Sequence, residues 1–421
     1  MIFAFRLGEE GAMTAAEQQL MECLRAFCRG ETAALVPNVP LEELHRLAAV
    51  QKLVPVVYET LGSTPEAFGD ARLRWKQETL LSVALQTRRT EAALRLCAAL
   101  NEADVPYALL KGLICRSLYP HPDHRASADE DLFVLPEHRA ACEAVLSAQG
   151  LTFGDSGETE SKWSDAASGL AIELHMRLFS DDYAAERRMN AYFRAAASRC
   201  EFETVSGVPV RTFAPQDHFL LLVCHALKHF HYSGFGLRTL SDMGLFATRR
   251  GAQFDWAEIR RMLENVGGMV FCDHVLHICQ TQFVYDPAAA GYFPEITGSD
   301  EALLADVLDA GIYGQSTMSR VHSANIVLQN MKTAEQGGGQ NGVLHALFPP
   351  RAALASRYPV LQKAPALLPA VWLARIGAYG ADMLRGKLSR TSAAESIALG
   401  KRRTELMKQY GIFEESQTED R

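Results

Sequence analysis

YALLKGLICRSLYPHPDHRASADEDLFVL (107–135) decides how this chain reads. VPYALLKG (105–112) is a short apolar run closed by a glycine, the pattern of a buried strand entering a turn. GLICRSLYP (112–120) reads as a short helix stopped by Pro120, and HPDHRASA (121–128) as a polar loop. DEDLFVL (129–135) is a second strand, and PEHRAACEAVLSAQG (136–150) a helix with Pro136 at its first position and Gly150 at its end. On a strand, residues two apart point to the same face, so Asp129 and Asp131 project together with Cα atoms about 6.6 Å apart. Carboxylates so placed can both reach one magnesium ion, whose oxygen ligands sit at about 2.1 Å, or share two ions roughly 3.5–4 Å apart. Magnesium prefers oxygen donors and accompanies phosphate, which points to a nucleoside triphosphate as substrate.

Working outward, GLAIELHM (169–176) is a further strand of alternating character. Ile172 and Leu174 turn to one face and Glu173 to the other, so Glu173 is the candidate third carboxylate. An antiparallel neighbour about 4.8 Å from the Asp-bearing strand brings it within reach. His175 shares that face and is expected to pack or to support a ligand rather than to be one. Lys111-Gly112 supplies a cation and a backbone that phosphates can approach closely. CEFETVSGVPVRTF (200–213) reads as a hairpin turning at Ser206-Gly207.

Residues 105–213 are therefore expected to form an α+β core, a small mixed sheet flanked by helices. A helical segment precedes it over 13–104, in which LEELHRLAAVQKLVPVVYETL (41–61) has helical apolar spacing and a break at Pro55. A large helical part follows over 214–333. AEQGGGQNG (334–342) is a Gly-rich linker, residues 343–413 a C-terminal helical region packing on the core, and 414–421 a disordered tail.

Composition agrees with an ordered globular chain. Its 421 residues suggest two or three packing units, and 48% apolar residues exclude wholesale disorder. With 42 Lys+Arg against 50 Asp+Glu, the net charge of −8 speaks against a dedicated nucleic-acid binder. MIFAFRLGEEGAM (1–13) is too briefly apolar for a signal peptide, and no apolar run is long enough to span a membrane. Nine cysteines are too few for a disulfide scaffold and suit reduced thiols in the cytoplasm.

A strand, glycine and helix, then Asp-x-Asp opening a strand, then a lone carboxylate on a later strand, is an order similar to the DNA polymerase β-like nucleotidyltransferase superfamily. More narrowly, LLKGLICRSLYP (109–120), Arg125 four residues before Asp129, DLFV (131–134) and IELH (172–175) resemble the uncharacterised bacterial nucleotidyltransferase family. HALKHF (225–230), LRTLSDMGLF (237–246) and RYPVLQKAPALLPAVWLAR (357–375) resemble its helical half, so the likeness runs from about residue 40 to 413. The resemblance implies two magnesium ions, with manganese an alternative, held by Asp129, Asp131 and Glu173, and transfer of a nucleotidyl group. It sets Lys111, Gly112 and Arg125 beside the triphosphate. Lys228, His229 and Arg238 are polar residues within apolar helices; they either form a satisfied network between helices or reach the triphosphate or acceptor.

Two departures stand out. The superfamily usually has Gly-Ser or Gly-Gly after the first strand, whereas here Lys111 precedes Gly112 and Leu113 follows. Glu130 stands between the aspartates where an apolar residue is common; buried, it would need a partner such as a nearby Arg. Other motifs fail on geometry. HALKH (225–229) lacks the Glu of a zinc protease. Cys272, His274, His277 and Cys279 fall on two sides of one helix and cannot converge on zinc. Lys and Arg outnumber acids from Arg351 to Arg403, a stretch suited to a membrane surface, RNA or the catalytic cleft. Three functions fit: nucleotidyl transfer to an acceptor hydroxyl or phosphate of a small molecule, peptide or RNA; a catalytically silent nucleotide- or partner-binding protein; and a related phosphotransferase.

Overall fold

A computed structural model of the chain describes residues 13–62, 64, 67–157, 159–232, 234–311, 348, 351–354, 358, 360–374 and 390–411. Local chemistry sets the first helices. Helix α1 (Ala15–Arg29) opens on a capping box: the Thr14 hydroxyl accepts the Glu17 N–H at 3.1 Å and the Glu17 carboxylate accepts the Thr14 N–H at 2.7 Å. Helix α2 (Leu41–Val50) is followed by α3 (Val54–Leu61), where Pro55 falls in the first turn and its missing N–H costs no helical bond. The long helix α4 (Arg72–Glu102) then packs along the sheet, burying Trp75, Leu96 and Leu100.

The central sheet contains β1 (Ala108–Leu110), β2 (Glu130–Phe133), β3 (Thr152–Ser156), β4 (Glu160–Asp165) and β5 (Leu170–His175) in the order β1-β2-β5-β4-β3. Between them lie α5 (Gly112–Arg116) and α6 (Arg139–Ala148). The sheet is mixed, as its sequence suggests, with one correction: β5 lies parallel to β2, not antiparallel. Helix α6 returns the chain so that β3 starts in β2's direction, and two hairpin reversals later β5 runs that way again. Parallel register sets Asp131 opposite Glu173 and Phe133 opposite His175. Strands β3 and β4 are additions to the sequence reading. All of β3 is exposed, and β4 buries only Ser161 and Trp163, so neither carries a core-strand signature.

The expected hairpin forms as β6 (Glu201–Val205) and β7 (Val208–Thr212), with Ser206 at φ 49° and Gly207 at φ 81° in a turn that matches strand twist. It makes a separate two-stranded sheet. The file Phe133, Phe213, Phe193, Phe179, with ring centroids 5.8, 5.7 and 5.9 Å apart, joins β2 to the hairpin exit and to α7 (Ala184–Ala196).

Helices α8 (Pro215–Tyr232), α9 (Leu237–Arg250), α10 (Trp256–Asn265), α11 (Met269–Gln282), the short α12 (Pro287–Ala290) and α13 (Glu301–Ala310) build the helical half. The helix Arg390–Gln409 rests there: the buried Arg403 donates to the carbonyls of Phe230 (2.6 Å) and Tyr232 (2.9 Å) and lies 3.6 Å from Asp306. These described residues of the C-terminal region thus lean on α8 and α13. The Gly-rich linker, the tail and, within the basic stretch, residues 355–357, 359 and 375–389 fall outside the described residues. Among the described residues no helix is long and apolar enough to cross a membrane.

Candidate active site

Alternation along β5 turns Ile172 and Leu174 into the core and Glu173 and His175 to the opposite face. Register then stacks Glu173 beside Asp131. Ligand atoms of Asp131, Glu173 and His175 all lie within 4.8 Å of one another. Asp131 is held from both sides, by the Lys111 ammonium at 2.8 Å and by His175 Nε2 at 3.0 Å. Burial opposes its ionisation, but those two partners hold its carboxyl well below the usual carboxylate range. Asp129, one residue before β2, is pushed up by burial and by the charge of Asp131, with Lys111 and Arg238 acting the other way. Glu173 is likewise raised, by burial and then by Asp131 and Asp129. Lys162 faces it from β4 at 3.5 Å.

The opposite wall comes from α8. Lys111 Nζ lies 3.2 Å from His225 Nδ1, and His225 Nε2 lies 2.9 Å from His229 Nε2. Burial and the Lys111 charge push His225 well down and His229 down to about 3, so both rings are neutral near pH 7. Lys228 sits 5.7 Å over the Phe179 ring with its Nζ 3.5 Å from the Leu178 carbonyl. Burial and nearby Lys111 lower its pKa. Between the walls is a cavity of about 160 Å³ lined by Lys111, Asp131, Glu160, Glu173, His175, Lys228 and His229, among others. A larger cavity of about 350 Å³, lined by Arg29, Arg249 and Tyr285 among others, contains none of these groups.

The donor set fits a divalent cation. After burial, the charge of Asp131 raises the proton affinity of both Asp129 and Glu173, a cost that a bound cation relieves, and carboxylate oxygen is magnesium's preferred donor.

The profile of the uncharacterised nucleotidyltransferase family matches residues 37–283, more than half of the chain and all of the site. The chain belongs to that family. No curated protein matches this family member. Among solved structures it is similar to the antibiotic-resistance factor ANT(2'')-Ia in solution, at 16% identity and a TM-score of 0.31 over 42% of this chain and 90% of that one. The crystal structure of ANT(2'')-Ia with adenylyl-2''-tobramycin compares at 16% and 0.31, covering 41% and 94%. An antigenic nucleotidyltransferase-like protein from Paracoccidioides brasiliensis compares at 16% and 0.30, covering 49% and 96%. Agreement this loose bears on neither the substrate nor the residues of this nucleotidyltransferase-family chain.

The remaining candidates separate. Gly112 follows Lys111 directly, and the Glu130 carboxylate lies where a Cβ at 112 would be, 1.9 Å from Oε2. Glu130 accepts the Leu113 N–H at 2.7 Å and pairs with the wholly buried Arg116, so the acid between the aspartates anchors α5. Arg238 donates to the Ala126 carbonyl at 2.5 Å, steadying the loop into Asp129. Arg125 is engaged elsewhere: buried, it grips Asp242 of α9 through Nε (2.8 Å) and Nη2 (2.5 Å), and Tyr119 donates to the same carboxylate. That side chain bolts the loop to the helical half instead of reaching into the cleft. His274 and His277 both bond Asp300, while Cys272 and Cys279 are buried free thiols. Glu160 and His225 are cleft residues the sequence reading did not select. His225 was legible as a polar interruption of an apolar helix; Glu160 sat on the strand that went unread.

Proposed function

We propose that the chain transfers a nucleoside monophosphate from a nucleoside triphosphate to an acceptor hydroxyl or phosphate, releasing pyrophosphate. The observation that carries this reading is the parallel register of Asp131 and Glu173, which line one cleft with Lys111, Lys228 and His229, while Asp129 precedes β2 and couples electrostatically to both carboxylates. Asp129, Asp131 and Glu173 would hold two magnesium or manganese ions, which when bound neutralise the triphosphate and increase the acidity of the acceptor.

The chain's own residues divide the remaining work. Lys111 and Lys228 are half-buried lysines lining the cleft, suited to the β- and γ-phosphates. His229, neutral at rest, can donate a further hydrogen bond. At about 160 Å³ the cavity is below the roughly 300–1,000 Å³ of ordinary ligand pockets, so it seats phosphates and leaves the nucleoside towards its mouth. The acceptor oxygen attacks the α-phosphorus in line, the bond to the bridging β-phosphate oxygen breaks, and the acceptor's proton passes to a Glu173 carboxylate oxygen. A small molecule, a peptide or RNA each supplies such an oxygen. Nine free thiols support a cytoplasmic setting.

Thermal melting tests the site. Magnesium with a triphosphate at about a hundred times its Kd should stabilise the wild type by about 2.7 kcal/mol. Asp131→Asn, referred to its own ligand-free state, should lose that gain, whereas Glu173→Gln should keep most of it and lose transfer. An undiminished gain in Asp131→Asn rejects the assignment.

A further inference from the structure

Lys111 is a lysine at φ 50°, ψ −100°, a region L-residues rarely occupy and one that persists only where the surroundings enforce it. Downstream, its carbonyl accepts the Cys115 N–H at 2.7 Å. Upstream, its N–H points to His218 Nε2 at 3.0 Å. The partners of that imidazole leave it one tautomer. The Thr212 hydroxyl donates its only proton to the Leu109 carbonyl at 2.7 Å, because a carbonyl can only accept. Thr212 Oγ1 also lies 3.0 Å from His218 Nδ1 and must accept there, so the proton is on Nδ1. Nε2 then carries the lone pair that receives the Lys111 N–H. The ring is fully buried and stacked on Phe246 with centroids 5.1 Å apart. Leu109 of the first strand and Lys111 of its turn are thus tied to the β6–β7 hairpin and α8 through Thr212 and His218.

We propose that His218 is a positioning residue for nucleotidyl transfer, its neutral Nδ1–H form holding the strained turn that aims the Lys111 ammonium at Asp131 and the triphosphate. This rests on the function proposed above. His218 lies behind the strand and its side chain does not line the cleft. It acts through the Lys111 backbone, and a lysine released from this turn relaxes to negative φ and carries its Nζ away from Asp131. A displacement of that kind can cost on the order of 10²-fold in rate.

The wild-type protein and two variants decide the matter. In nitrogen-15 spectra the His218 ring should carry its proton on Nδ1, with a hydrogen-bond coupling from Nε2 to the Lys111 amide, between about pH 5 and 8. His218→Leu keeps bulk and removes the acceptor. It should bind Mn²⁺ alone as the wild type does, weaken magnesium-triphosphate binding by about ten-fold or more, and lower kcat further where transfer is measured. His218→Gln restores an acceptor for the Lys111 N–H and should recover most of the triphosphate affinity. A proton on Nε2 overturns the proposal, as do equal triphosphate affinities in wild type and His218→Leu, or equal losses in both variants. Should His218→Leu not fold, the wild-type spectrum and the Gln variant still decide. Failure of the nucleotidyl-transfer reading looks different: a wild type that binds no triphosphate while the His218 resonances keep the stated pattern.

Discussion

Gly112→Ala should destabilise the protein by about 2–4 kcal/mol, although alanine is the better helix former. A Cβ at this position would lie 1.9 Å from Glu130 Oε2 and 2.7 Å from its Cδ, so the carboxylate must leave its place. It has nowhere polar to go: Glu130 is 2% exposed, and its present bonds are to the Leu113 N–H, the Arg116 guanidinium and, at 3.4 Å, the Ser127 hydroxyl. Arg116 is itself wholly buried, so displacing Glu130 leaves a guanidinium without its counter-charge. Breaking a buried pair in this way costs about 3–5 kcal/mol. Helix propensity returns about 1 kcal/mol, since alanine is preferred to glycine inside a helix. Urea unfolding followed by circular dichroism at pH 7 reads the difference. The loss should also reach the site, because Glu130 opens β2 between Asp129 and Asp131. A variant within about 0.5 kcal/mol of wild type, or a more stable one, would refute the account of why glycine follows Lys111.

Asp242→Ala should cost about 3–5 kcal/mol in the same assay, because it strands the buried Arg125; a loss of triphosphate affinity with unchanged stability would return Arg125 to the ligand-binding set. Burial lowers His218 and His231 to about 3, below their unfolded value of about 6.5, so between those limits the unfolded chain holds more protons. Stability is therefore full above about pH 6.5 and falls towards pH 3, each ring adding a slope of about 1.4 kcal/mol per pH unit. His231→Phe should flatten the measured slope by about one such increment, and an unchanged slope rejects the burial argument. Lys228→Gln should weaken triphosphate binding by roughly 10- to 100-fold, the worth of one charged hydrogen bond, and equal affinity in calorimetry would remove Lys228 from the phosphate wall.

Part of the candidate site's geometry was legible because it lies in local patterns. The apolar neighbours of Glu173 fix which way that side chain faces before any tertiary contact is known, whereas the same-face reading of Asp129 and Asp131 supposes both on a strand and Asp129 precedes β2. Relative strand direction was not legible. It depends on β3 and β4, and a strand that is wholly exposed or buries only Ser161 and Trp163 lacks the apolar run that marks a strand in sequence. Glu160 was missed for the same reason. Arg125 shows the other limit: four residues before an Asp pair it resembles a site residue, but its partner is Asp242, 117 residues away. The reverse held for Glu130, where the cost of burying a lone carboxylate foretold an arginine and Arg116 supplies it.

The most direct test follows the label of the triphosphate. With magnesium and an extract containing candidate acceptors, α-labelled nucleoside triphosphate should leave label on an acceptor, and γ-labelled triphosphate should leave its label in pyrophosphate. Asp131→Asn should do neither. Transfer of the γ-label to the acceptor, or α-label transfer that survives Asp131→Asn undiminished, would contradict the assignment of this cleft to nucleotidyl transfer.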